Sequence, residues 1–423
     1  MSDTAKALNN TLDEFEQILA KALVHVRDAC TTDGKFSVGR LDEQQQVTSD
    51  LAVSTAELQC ARNYLQYAAL NGEIEERLAT AFAAESLHNI RNRLGRYPAD
   101  FGLDAGDMET LSLDACGDLL STSRLAALGR EIVDRDGDLG DRGLDEEKIL
   151  MADTFRQFAD DVVKPLAEEI HRQDQIIPDA ILDGVRDLGC FGLSVPQRYG
   201  GLLPDDQEDS LGMIVVTEEL SRASLGGAGS LITRPEIMAR ALIEGGTEEQ
   251  KQYWLPRISE GRPLCGIAIT EPDFGSDVAS MKLKATQTED GWLLNGAKAW
   301  STFAGKSGVL LTLARTDPDP KLGHRGLSLF MVEKPEFDGD EFDVVQDGGG
   351  RLSGQAIPTI GYRGMHSFQL FFDDFFVPAT HLLGEGQGLG KGFYFTMRGF
   401  MGGRIQTAAR ACGVMQASFD CAL

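Results

Sequence analysis

From Leu8 onward, apolar side chains recur every three or four residues: Leu8, Leu12, Phe15, Leu19, Leu23 and Val26. That spacing lines one face of a helix. Thr31-Thr32-Asp33-Gly34 closes the element. A second helical stretch is predicted from about Glu43 to Ala69, ending at Asn71-Gly72. A third runs from Ile74 to Leu94, before Arg96-Tyr97-Pro98. We read these stripes as the core of a helical bundle. The segment Asp134 to Gly143, D-R-D-G-D-L-G-D-R-G, is charged and glycine-rich, which reads as an exposed linker. It lacks the spacing and terminal Glu of a calcium loop.

Helical patterning resumes after Leu144, with Met151, Phe155, Phe158, Val162 and Leu166 on one stripe. Leu193-Ser194-Val195-Pro196 interrupts it and leads to a turn at Tyr199-Gly200-Gly201. Met213–Leu225 and Glu236–Ile243 read as further helices, and Thr247-Glu248-Glu249-Gln250 is a capping box that opens another. From Leu264 the period changes to two. Cys265–Ile269, Leu283–Thr288, Trp292–Asn295, Val309–Ala314, Leu327–Val332 and Gln369–Phe372 are predicted strands, with turns at Glu289-Asp290-Gly291 and Asn295-Gly296. Helical patterning returns at Lys391. The glycine-rich Gly384–Gly388 lacks the Gly-Lys-Ser/Thr ending of a phosphate loop and reads as the lead-in to that helix. The predicted fold class is therefore α+β and multidomain. A helical extension covers residues 1–143, a helical domain 144–263, an antiparallel β domain 264–379, and the start of a further helical domain 380–423.

Composition narrows the function classes. Asp and Glu number 66 against 40 Lys and Arg, a formal net charge of -26. Such a surface repels phosphate backbones, which argues against wrapping nucleic acid. Met1–Lys6 is polar, so no signal peptide is expected, and no run approaches the length of a membrane-spanning helix. The seven cysteines are scattered without CxxC pairing, which fits reduced thiols in the cytoplasm. The six histidines show no metal-ligand spacing, so no metal is expected.

Candidate chemistry lies in the β region. Ala268–Asp277 reads A-I-T-E-P-D-F-G-S-D, placing a hydroxyl, a proline-held turn and a Gly-Ser pair close together. Trp300-Ser301-Thr302 then sets an indole beside two more hydroxyls. Such groups can hydrogen-bond a flat heteroaromatic ring and a pyrophosphate. On their own they would equally be a tight turn and a core aromatic.

Their order and spacing resemble the flavin-binding signature of the acyl-CoA dehydrogenase family. Gly246–Lys251, Leu255-Pro256 and Glu260-Gly261 resemble the family's helix before the flavin strand. Gly361-Tyr362-Arg363-Gly364-Met365, Val377-Pro378 and Gly384 resemble its last β segment. The similarity runs from about Leu144 to Leu423. It implies FAD as cofactor, with Ile267, Ala268, Ile269, Thr270, Ser276, Trp300, Ser301 and Thr302 as the cofactor-binding set. Thr270 would meet the flavin pyrimidine edge, Ser276 the pyrophosphate or the acyl-CoA, Trp300 the isoalloxazine face and Thr302 the N5 edge. One departure is Phe274, where the family usually carries a small residue.

The activity implied is α,β-dehydrogenation of an acyl-CoA thioester, with a carboxylate removing the α-proton. Some members carry that Glu one residue before an Arg on the first helix of the C-terminal domain. Here Gly403 precedes Arg404, so the base is expected beyond Leu423, in a longer protein or on another chain. Arg404 is a candidate to steer base or substrate. The N-terminal extension resembles members acting on a short, branched acyl-CoA with a second carboxylate. Arg234 and Arg240 are then candidates to hold that carboxylate, although exposed helix arginines are commoner. The resemblance implies electron-transfer flavoprotein as electron acceptor and a homodimer or dimer of dimers. A general short- or medium-chain fatty acyl-CoA dehydrogenase, a DNA-associated flavoprotein relative and a catalytically incomplete scaffold subunit are the other readings.

Overall fold

The computed structural model describes residues 1–423, which form two compact units, Met1–Leu144 and Asp145–Ala422. In the first, α1 (Asp3–Ala29) leads through a two-residue hairpin, β1 (Thr31–Thr32) and β2 (Lys35–Phe36), into α2 (Val38–Glu43). The long α3 (Gln45–Ala68) and α4 (Glu73–Leu94) follow, then the short α5 (Ala105–Thr110) and α6 (Thr122–Asp134). Its core joins Leu8, Leu12, Phe15, Leu19 and Val26 of α1 to Leu58, Ala61 and Leu65 of α3 and Leu87 and Ile90 of α4. Leu23 departs from its predicted place and is exposed, while Ala22 is buried. The steps 8, 12, 15, 19, 22, 26 alternate four and three residues and keep to one face, and position 23 falls about 60° from the centre of that face, at its edge.

The second unit opens with α7 (Glu146–Phe158), which a single π turn joins to α8 (Lys164–Gln173). Next come α9 (Asp179–Asp187), α10 (Ser210–Ala223), α11 (Thr233–Gly245) and α12 (Glu248–Ser259). The predicted capping box is present. Thr247 Oγ1 accepts the Gln250 N–H at 3.2 Å, and Gln250 Oε1 accepts the Thr247 N–H at 3.1 Å.

Eight strands follow: β3 (Cys265–Ala268), β4 (Lys284–Gln287), β5 (Gly291–Thr302), β6 (Val309–Arg315), β7 (Leu327–Glu333), β8 (Glu341–Val345), β9 (Arg351–Ala356) and β10 (Ser367–Pro378). They form one sheet in the order β3-β6-β4-β5-β10-β9-β8, with β7 also paired to β6. Most pairings are antiparallel, but β3 and β4 each run parallel to β6, so the sheet is mixed. Period-two patterning reports which face is buried and carries no information on strand direction. The one-turn α13 (Glu385–Gly388) and the long α14 (Gly392–Ala422) complete the chain.

Asn295-Gly296 is not the turn its sequence suggests. It lies inside β5, opposite an irregularity in β10 where the register shifts between Phe372 and Phe375. Asn295 closes that bulge: its Nδ2 donates to Asp374 Oδ1 at 2.8 Å, and its Oδ1 accepts the Asp374 N–H at 3.0 Å.

Helix α14 lies against α10 and α11 through glycines. A β-carbon on Gly402 would stand 2.1 Å from Glu236 Oε1 of α11, and one on Gly413 would stand 2.3 Å from the Glu218 carbonyl of α10.

Candidate functional site

The site grows from the end of β3. Ala268 and Ile269 are buried, so their side chains belong to the core. The chain then turns at Glu271–Phe274, where the two residues exchange backbone hydrogen bonds at 3.0 and 3.1 Å. A buried ion pair fixes this turn. Lys298 of β5 is 0% exposed, and its Nζ donates to Glu271 Oε1 at 3.0 Å and to the Ile269 carbonyl at 2.8 Å. The Glu271 carboxylate also accepts the N–H groups of Lys282 and Leu283, at 2.7 and 2.8 Å. Burial outweighs the attraction of Glu271 and pulls the Lys298 ammonium down to about 8.

That pair sits two residues before Trp300. The Ala299 N–H donates to the Thr270 carbonyl at 2.8 Å, which brings the T-E-P turn against the end of β5. There the pairing with β10 slips between Ser301–Phe368 and Lys298–Leu370, and Trp300 adopts φ 56°. An extra residue in one strand re-aims the side chain it carries. The indole is accordingly 57% exposed at the sheet's rim while its neighbour Ser301 is buried. Thr302 Oγ1 lies 2.8 Å from Ser367 Oγ. The Phe303 N–H donates to the carbonyls of Met365 and His366 at 2.9 and 2.8 Å, pinning the segment before β10 to the same spot.

The hydroxyls of Thr270 and Ser276 make no hydrogen bond within the protein, and Ser301 Oγ is buried without a partner. Thr270 is half-buried beside the exposed indole, and Ser276 is exposed at the end of the turn, next to Gly275, which has open space around it. Unsatisfied hydroxyls next to a presented aromatic face fit a flat heteroaromatic ring with a polar edge and an anionic tail. Phe274 is half-buried against the core, with Lys282 Nζ 4.9 Å from its ring centre.

Residues 145–262 match the N-terminal domain of acyl-CoA dehydrogenases and residues 266–375 their middle domain. The chain belongs to the acyl-CoA dehydrogenase family. It is 35% identical to (2S)-methylsuccinyl-CoA dehydrogenase of Cereibacter sphaeroides over 99% of its own length and 77% of that protein's. It is 32% identical to mitochondrial isovaleryl-CoA dehydrogenase of Solanum tuberosum, over 66% of this chain and 63% of that one. Among solved structures, butyryl-CoA dehydrogenase from Megasphaera elsdenii superposes with a TM-score of 0.57 at 29% identity, covering 66% of this chain and 68% of that one. The chain thus spans less than two thirds of the potato relative.

Relatives of the second kind cover a share of the chain about the size of its second unit, which is the unit that holds the hydroxyl and indole cluster. Within this acyl-CoA dehydrogenase unit, the three candidate arginines differ sharply. Arg404 is exposed on α14 and has no side-chain partner. Arg240 is committed: its Nε donates to Glu236 Oε1 at 2.8 Å, and Glu208 lies 3.8 Å from its Nη1. Glu236 is 2% exposed and also accepts from Gln406 Nε2. Burial holds its carboxyl above the usual range, against the pull of Arg240. Arg234 is buried as well, yet its nearest polar neighbours are the Ser230 carbonyl and hydroxyl, Met365 Sδ and Tyr362 Oη. Gly403 faces Thr233 and Ile237 of α11, so the position carries no carboxylate.

Lys298, Glu271, Tyr362 and Arg410 are site neighbours that sequence reasoning did not single out for a role. Tyr362 stood within a quoted motif, but its φ of 61° and its two guanidinium neighbours are properties of the fold. All seven cysteines are free, and no helix is long and apolar enough to cross a membrane.

Proposed function

We propose that this chain carries out FAD-dependent α,β-dehydrogenation of an acyl-CoA thioester, with (2S)-methylsuccinyl-CoA as substrate, mesaconyl-CoA as product and electron-transfer flavoprotein as electron acceptor. The observation carrying this reading is the similarity to (2S)-methylsuccinyl-CoA dehydrogenase over 99% of the chain, which takes in the N-terminal unit. Other family relatives leave a part of that size unmatched.

Thr270 and Ser276 would hold the cofactor through their free hydroxyls, Trp300 would cover its ring and Thr302 would approach its reactive edge. Main-chain groups of Ile267 to Ile269 would line the approach. Bound FAD would supply the hydride acceptor for the substrate β-carbon. The chain's own contribution is placement. The Lys298–Glu271 pair keeps the Thr270 turn against β5, and the bulge presents the Trp300 indole. The α-proton requires a carboxylate in a dry pocket with a raised pKa. Gly403 supplies none, so the base does not sit at that position of α14. By the same resemblance, the working form is a homo-oligomer.

Purified protein loaded with FAD should convert (2S)-methylsuccinyl-CoA to mesaconyl-CoA, followed by mass spectrometry with an artificial electron acceptor. Equal or better turnover of butyryl-CoA would sink the specific substrate in favour of a general fatty acyl-CoA dehydrogenase.

A further inference from the structure

Ser367 opens β10 directly opposite Thr302, the last residue of β5. Their hydroxyl oxygens lie 2.8 Å apart, and neither hydroxyl has another partner in the protein. Ser367 is 8% exposed, whereas Thr302 is half-buried, two residues on from the exposed Trp300. The main chain around Ser367 is fixed. Its carbonyl accepts the Ile357 N–H at 2.7 Å. Just before it, the His366 carbonyl accepts the Phe303 N–H at 2.8 Å, and His366 Nε2 lies 3.1 Å from Asp174 Oδ1.

Two hydroxyls that share one hydrogen bond leave one hydrogen over. Were Thr302 to donate, the spare hydrogen would belong to Ser367, in the interior and without an acceptor. A buried donor left unpaired is costly. With Ser367 donating, the spare hydrogen is that of Thr302, at the half-buried position where a bound group can take it. Burial therefore gives the pair a direction. Ser367 donates outward to Thr302, and Thr302 is presented at the rim as a donor.

We propose that Ser367 is a positioning residue that sets Thr302 as a hydrogen-bond donor to the reactive edge of the cofactor. The proposal rests on the flavin reading above, in which Thr302 approaches that edge, and extends it from placement to the tuning of electron affinity. Hydrogen bonds to the ring nitrogens are one of the means by which a protein tunes a flavin. At N5 the oxidised ring accepts a hydrogen bond and the reduced ring donates one. Toward an acceptor, the bond from Ser367 to Thr302 and the bond from Thr302 to the ring run the same way and strengthen each other. Toward a donor, Thr302 Oγ1 receives from both sides, or its hydroxyl turns over and strands the Ser367 hydrogen. Ser367 therefore favours the oxidised ring and holds the midpoint potential of bound FAD down.

The test is the midpoint potential of the full chain loaded with FAD, read by absorbance against a reference dye during stepwise reduction. Loss of the preference carried by one neutral hydrogen bond predicts that Ser367→Ala makes the bound flavin roughly two- to tenfold easier to reduce, a rise of up to about 30 mV for a two-electron couple. Ser367→Thr keeps a hydroxyl and should restore the wild-type value. Ser367→Cys, a weaker donor of similar shape, should shift the potential part-way, and it decides the matter if Ser367→Ala loses its fold. In a Thr302→Val background, Ser367→Ala should add no further shift, because Ser367 acts through Thr302. An unmoved or lowered potential in Ser367→Ala and Ser367→Cys, with flavin fully retained, overturns the role of Ser367 and leaves the flavin reading standing. The same rise in the Thr302→Val background also overturns it. A wild-type chain that takes up no FAD fails the flavin reading itself, and the role of Ser367 falls with it.

Discussion

Lys298 shows how one buried side chain sets the geometry of a polar site. Its ammonium bridges Glu271 and the Ile269 carbonyl, and so ties β5 to the turn that carries Thr270. Removing one partner of such a pair strands the other, at a cost of about 3–5 kcal/mol. Lys298→Met should therefore lower the melting temperature and the flavin retained per chain, read by absorbance after gel filtration. The pH dependence has a defined sign. The folded-state value is about 8, against an ordinary 10.5. Between these values the unfolded chain binds a proton that the folded chain does not, so the lysine's contribution to stability rises with pH across the window and is smallest below it. The stability gap between wild type and Lys298→Met should widen from pH 8 toward 10. A flat gap would mean that Lys298 is not buried as described. At this scale the sequence was partly legible. Thr270, Trp300 and Thr302 stood in a recognisable order, and the fold brings them together. The Lys298–Glu271 pair spans 27 positions, and the contacts of Tyr362 with Arg234 and Arg410 span 128 and 48. Nothing local in the chain announces such partners, because only the folded backbone makes them neighbours.

Helix α14 depends on close approach to its neighbours. A β-carbon on Gly413 would stand 2.3 Å from the Glu218 carbonyl and 2.8 Å from Ser221 Cβ, and backbone cannot move aside cheaply. Gly413→Ala should cost about 1–3 kcal/mol through overpacking. Gly129, within α6, has nothing within 4 Å of its would-be β-carbon. Gly129→Ala should instead stabilise by about 0.5–1 kcal/mol, by restricting the unfolded chain. Thermal melts of the two variants should shift in opposite directions, and a Gly413→Ala protein as stable as wild type would refute the close packing of α14. Elements with strong signals were foreseen: the stripe of α1, the Thr247 capping box and the apolar runs of β6 and β7. Strands β8 and β9 were not. Each is short and turns few apolar side chains inward, Phe342 and Val344 in one and Leu352 in the other, with Phe342 lying over Gly354. Strands β5 and β10 were foreseen only in part. Their bulges break the alternation of sides, at the places where Trp300 and Asn295 do their local work.

At the scale of the molecule, the two units have separate cores. The hydrophobic cluster of the first is drawn from residues between Ala5 and Cys116, and the clusters of the second lie between Phe155 and Phe395. The stretch between α6 and α7 is mostly exposed and carries Gly137, Gly140 and Gly143 at positive φ, so no apolar packing protects its backbone from a protease. Brief trypsin treatment should therefore cut at Arg135 or Arg142 before it cuts elsewhere, leaving two fragments that resist further digestion. Separate cores also predict two transitions in a calorimetric melt. The proposed flavin site should follow the second fragment, because Thr270, Ser276, Trp300 and Thr302 and the residues that hold them all belong to Asp145–Ala422. The measurement is flavin absorbance in each fragment after separation. Flavin lost in step with the release of the first unit would show that the site is not self-contained, and would assign the N-terminal helices a direct part in holding the cofactor.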